Sequence, residues 1–137
     1  GMYVTSHTGT LVLEDWELKS ITVNSEYGYV NMLENMYEAT VKMKSFTVQN
    51  IVNTSGGGGF LYITGGYVSM EDFVVSDVKA SNCAGVILID ISTFYGTGLK
   101  FEGLTTLKEN GACLKASFYY EEYFTLTKSV FKRCRSE

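Results

Sequence analysis

Apolar residues along this chain fall on a template that recurs. Counted from Val68 they occupy offsets 0, 2, 5, 7 and 10, as Val68, Met70, Phe73, Val75 and Val78. The same template fits Leu11, Leu13, Trp16, Leu18 and Ile21, and again Val41, Met43, Phe46, Val48 and Ile51. A fourth copy is expected from Leu99 through Phe101 and Leu104 to Leu107, with one residue inserted. A fifth runs from Phe124 through Leu126, Ser129 and Phe131 to Cys134. Offsets 0, 2 and 5, 7 are the alternation of two short strands either side of a two-residue break. β-Branched and aromatic residues dominate them, so the repeat predicts strands and excludes helical repeats of similar length.

A second block follows each of the first four copies and opens on a pair containing glycine: Tyr27-Gly28, Gly58-Gly59, Ala84-Gly85 and Gly111-Ala112. The second and fourth residues after the pair are Val30/Met32, Leu61/Ile63, Ile87/Ile89 and Leu114/Ala116, all apolar and predicted to face inward. The residues between them are then outward: Tyr29, Phe60, Val86 and Cys113 in one column, Asn31, Tyr62, Leu88 and Lys115 in the next. An antiparallel sandwich would not put one residue class at one offset in successive copies. A coil of three short strands, stacked on its neighbours at ~4.8 Å, does. Its predicted columns are Leu13, Met43, Met70, Phe101, Leu126 and Trp16, Phe46, Phe73, Leu104, Ser129.

Composition agrees with a folded chain made of sheet: 137 residues, 45% hydrophobic, 19% charged, 14 glycines and no proline. No apolar run approaches the ~20 residues a membrane span needs. The net charge of −4, with arginine only at Arg133 and Arg135, argues against a nucleic-acid partner. Cys83, Cys113 and Cys134 are far apart and form no C-x-x-C pair, which predicts free buried thiols.

The Val-x-Met-x-x-Phe-x-Val-x-x-Val strand pair and the glycine-led strand Gly59-Phe-Leu-Tyr-Ile63 resemble the right-handed parallel β-helix, or pectin-lyase-like, repeat family, over Met2 to Cys134. The resemblance implies an all-β, right-handed, single-stranded parallel β-helix of about five coils with three short strands each. Residues 1–137 are expected to form one solenoid segment of a longer repeat protein, since neither end shows a capping helix. The family holds polysaccharide lyases and hydrolases, phage tailspikes, bacterial adhesins and repeat proteins of protist cell surfaces, so the likeness specifies fold and leaves function open.

Acidic residues recur at the break between first and second strands, as Glu14-Asp15, Glu71-Asp72 and Glu102-Gly103. On adjacent coils Asp72 and Glu102 would lie roughly 5 Å apart, and with Glu71 they are the candidate carboxylates of a glycosidase. The structural reading is a charge column in which Lys44 offsets Glu14 and Glu71. Pectinolytic relatives would imply an arginine near a calcium-binding cluster; this chain has no interior arginine, and no metal or cofactor is expected. His7 reads as a loop residue, Ser55-Gly-Gly-Gly-Gly59 as a turn and not a phosphate cradle, and Asn53-Thr54-Ser55 as a glycosylation acceptor in a loop. Outward offset 6 reads Glu17, Thr47, Val74, Thr105, Val130, which is no ice-binding threonine array.

The candidate binding surface is the outward third-strand stripe of Tyr29, Phe60, Tyr62, Val86 and Leu88. A loop such as Phe94-Tyr95 or Phe118-Tyr119-Tyr120 would cover it, or a protein, a second copy or a glycan would. The leading expectation is a non-catalytic structural or adhesive segment of a larger extracellular or cell-surface protein. A carbohydrate-active enzyme fragment and a self-associating module are the alternatives.

Overall fold

A computed structural model describes residues 2–5, 8–23, 30–53, 59–107 and 113–136, with the backbone alone at 119–122. His7 and Tyr29 lie outside the described residues. The strands are β1 (Met2–Thr5), β2 (Gly9–Val23), β3 (Asn31–Glu34), β4 (Ala39–Asn53), β5 (Leu61–Thr64), β6 (Tyr67–Ala80), β7 (Val86–Thr106), β8 (Leu114–Thr127) and β9 (Val130–Ser136). All pairings are parallel, and no helix occurs among the described residues. The chain forms a parallel β-solenoid of about four turns, in agreement with the right-handed parallel β-helix expected from the repeat.

Two stacks of strands build it. The long strands carry the repeat template and align β2 on β4, β4 on β6, β6 on the second half of β7, and that half on β8 and β9. The short third strands align β1, β3, β5, the start of β7 and the start of β8.

The register corrects the fourth copy. Val68 pairs with Phe94, Met70 with Gly96, Phe73 with Leu99, Val75 with Phe101 and Val78 with Leu104. The copy therefore starts at Phe94 and needs no insertion. The first inward column is Leu13, Met43, Met70, Gly96, Leu126, and the second is Trp16, Phe46, Phe73, Leu99 followed by Ser129. At Gly96 the missing side chain is replaced from either side: a Cβ there would lie 2.9 Å from the Phe94 ring and 3.0 Å from Leu126 Cδ1. The second column is a ladder of parallel rings, with Trp16 5.8 Å from Phe46 and Phe46 4.7 Å from Phe73, each pair within 2° of coplanar orientation.

Each break between strands is one residue in the left-handed region. Asp15, Ser45, Asp72, Gly98 and Lys128 form one such column, at φ between 51° and 66°. Ser20, Asn50, Asp77, Gly103 and Arg133 form a second, at φ between 50° and 71°. Asn35, Gly65 and Asp90 close the third strands in the same way, at φ 58°, 76° and 53°. Asp, Asn and Gly are the residues that tolerate this conformation most readily, which accounts for much of the polar punctuation in the repeat. Lys128 and Arg133 carry the same bend in the last coil at greater steric cost.

Two cysteines depart from the free-thiol expectation. Cys113 and Cys134 form a disulfide with Cα atoms 5.7 Å apart, tying the entry of β8 to β9 across 21 residues. Cys83 alone matches the expectation, free and buried.

Candidate functional site

The register separates the predicted carboxylates. Glu71 pairs with Thr97 just before the first corner, whereas Glu102 pairs with Ser76 and lies past that corner, one residue before the second at Gly103. Asp72 is itself a corner residue, stacked on Gly98. Glu102 Oε1 lies 3.1 Å from Arg133 Nη2, and Glu71 Oε1 lies 3.8 Å from Lys44 Nζ. Lys44 also sits in register with Glu14, so the charge column exists over the first three coils. In the next two coils it continues as Thr97 and Thr127, whose hydroxyls are hydrogen-bonded at 3.0 Å. Offset 6 likewise carries Lys100 where Thr105 was expected. Among the described residues no cluster of three or more His, Cys, Asp or Glu is placed to hold a metal ion.

The third-strand stripe is also corrected. Leu61 and Ile63 face inward as expected, but they pair with Val86 and Leu88, so these two are core and not surface. A one-residue slip in counting from Ala84-Gly85 moves a whole strand to the opposite face. Phe60 is buried as well, its ring edge-on to Phe101 at 6.1 Å. Asn31 and Leu33 take the inward places given to Val30 and Met32. The true outward column is Tyr3, Met32, Tyr62, Ile87 and Lys115. The Tyr3 hydroxyl donates to Glu34 Oε2 at 2.8 Å, and that bond raises its pKa. Partial burial raises that of Tyr62, with Glu34, Tyr37 and Asp90 adding to the effect. Phe94-Tyr95 is no covering loop: both belong to β7, and Phe94 is core. Phe118 lies within β8. The Asn53 side chain, first residue of the acceptor sequence, is buried at the end of β4.

Two outward surfaces emerge that the sequence pattern did not single out. A groove of about 360 Å³ crosses the second-strand face over three coils, with Val74 and Val130 exposed along its floor and Ser76, Lys100, Glu102 and Lys132 around them.

The other is the outward side of the first strands, from β6 through β7 to β8. Tyr67 stacks under Thr93 and then Tyr123; Ser69 stacks under Tyr95 and then Thr125; Glu71 stacks under Thr97 and then Thr127. The three tyrosines are 50%, 46% and 76% exposed. They zigzag: Tyr95 sits one coil above and two residues along from Tyr67, and Tyr123 returns to the first column. The equal spacing of positions 67, 95 and 123 was available in the sequence, but the misplaced fourth copy put Tyr95 in a loop.

The chain matches no protein-family profile, no curated protein sequence and no solved structure.

Proposed function

We propose that this chain is a non-catalytic structural or adhesive segment of a larger extracellular or cell-surface protein, built on a pectin-lyase-like repeat. The observation that carries the reading is that each acidic candidate already has a structural occupation. Asp72 makes a left-handed corner, Glu71 is in the charge column with Lys44, and Glu102 is paired with Arg133. A glycosidase needs two carboxylates facing one bond. Asp72 and Glu102 instead sit at opposite ends of the second-strand face on adjacent coils, which disfavours the enzyme-fragment reading. Self-association through the third-strand stripe loses Phe60, Val86 and Leu88, which are core.

The Cys113–Cys134 disulfide supports the compartment, because such bonds persist in oxidising surroundings and are rare in the cytosol. In-register stacking over every coil gives a stiff rod whose side chains are fixed in columns, a suitable support for a contact surface. Antibodies against the chain should label intact, non-permeabilised cells that produce it. Labelling that appears only after permeabilisation would overturn the reading.

A further inference from the structure

We infer that the Tyr67, Tyr95 and Tyr123 face binds an extended neutral glycan, an inference that rests on the adhesive reading and names its ligand class. The rings are held by the sheet: Tyr67 and Tyr95 alternate with the buried Val68 and Phe94 of their own strands, and Tyr123 is in register with Thr93 of β7. Tyr67 and Tyr123 are two strand spacings apart, ~10 Å, and Tyr95 lies diagonally between them at ~7–8 Å from each. This is on the scale of successive pyranose rings in an extended chain.

A pyranose presents an apolar face of axial C–H groups and an edge of hydroxyls. A tyrosine offers the matching apolar ring with a polar tip. Thr93, directly between Tyr67 and Tyr123, and Thr125, beside Tyr95, place hydroxyls among the rings to meet the sugar edge.

Charge decides between glycan classes. In a chain with 19% charged residues, Glu71 is the one charged group among the described side chains of this face over β6, β7 and β8, with Lys44 on the adjacent coil 3.8 Å away. A polyuronate or sulfated chain would find no array of cations here, whereas a neutral glycan forfeits nothing. The second-strand groove, with Lys100 and Lys132, has the opposite character.

The test is titration calorimetry of the 137-residue chain with cellohexaose, with a neutral mannan hexasaccharide, and with hexagalacturonate as the charged counterpart. Saturable binding of at least one neutral oligomer is expected, with hexagalacturonate weaker. Tyr67→Ala, Tyr95→Ala and Tyr123→Ala should each weaken binding about three- to tenfold. The corresponding Tyr→Phe variants should keep most of it, and circular dichroism of these exposed-site variants should stay unchanged. Absence of binding to both neutral oligomers, equal or tighter binding of hexagalacturonate, or full binding by the triple alanine variant would overturn the inference. A chain that labels intact cells but binds neither neutral oligomer loses this inference and keeps the reading beneath it. Cleavage of the oligomers by the chain would defeat the non-catalytic reading whatever the tyrosines do.

Discussion

Asp72 and Gly98 occupy the same corner of successive coils, both in the left-handed region, and a Cβ on Gly98 would lie 2.8 Å from Asp72 Oδ1. The residue that looked most like half of a catalytic pair is thus a bend in the chain, and its neighbour in the column is a glycine.

Gly98→Ala should cost about 1–2 kcal/mol, because an L-residue at φ +66° is strained while the Asp72 carboxylate can swing aside. Gly98→Asn should cost less, since asparagine tolerates the left-handed region. Gly85→Ala is a different case: its Cβ would collide with the Cys113 backbone carbonyl, which cannot swing aside. A loss above about 3 kcal/mol is expected there, on the scale reserved for mutations that force the backbone to move. Urea unfolding of the three variants gives the order Asn, Ala, then Gly85→Ala.

Phe46 is the middle ring of the Trp16–Phe46–Phe73 stack and is 1% exposed. Phe46→Ala should lose about 3–5 kcal/mol, from transfer of the ring and the void left between its neighbours. Trp16→Ala, at a half-buried position with one ring neighbour, should lose less. Equal losses would mean that the stack is not a core element.

Closing a loop between residues 21 apart should contribute about 3 kcal/mol through the unfolded chain. Cys113→Ala with Cys134→Ala should show that loss in urea, and the unreduced parent should show it on addition of a reductant. A variant pair as stable as the parent would contradict the bond's role.

Burial raises the Cys83 thiol pKa above its ordinary 9.0, partly countered by a backbone hydrogen bond from Gly85 and by Lys115. The folded protein then holds this proton more tightly than the unfolded chain does. The corresponding stability is complete below about pH 9 and falls as pH rises through the folded-state pKa. Tyr62, whose pKa is raised from 10.0, extends the same decline to higher pH. Urea midpoints should drop as the pH rises above about 9, with a shallower drop for Cys83→Ala. Stability that rises over this range would have the wrong sign.

How legible all this was in the sequence depended on which residues carried the signal. Wherever five large apolar side chains occupied the template, as at Val41 to Ile51, phase and facing were readable. The fifth copy, from Phe124 to Cys134, was phased correctly even with Ser129 in place of a large residue. The fourth copy failed because Gly96 vacates an inward position that Phe94 and Leu126 fill from either side, and no local pattern reports that exchange. The third strands failed at Ala84-Gly85, where the bend is one residue out of step with Gly58-Gly59, and in β3, where Asn31 and Leu33 and not Val30 and Met32 share the inward register of Leu61 and Ile63. The disulfide was invisible for a different reason: its two cysteines meet only through stacking of β8 and β9 on β7. The tyrosine face could be seen only after the fourth copy was placed.

That placement is the claim on which both the dispersal of the carboxylates and the tyrosine zigzag stand, and thiol cross-linking tests it directly. Residues opposite one another on adjacent parallel strands lie ~4.8 Å apart, within the range a disulfide spans. With the fourth copy at Phe94, Glu71→Cys combined with Thr97→Cys should oxidise to an intramolecular disulfide in the folded protein, while Glu71→Cys combined with Glu102→Cys should not. A disulfide from the second pair and none from the first would restore a fourth copy at Leu99 and bring Glu102 back beside Glu71.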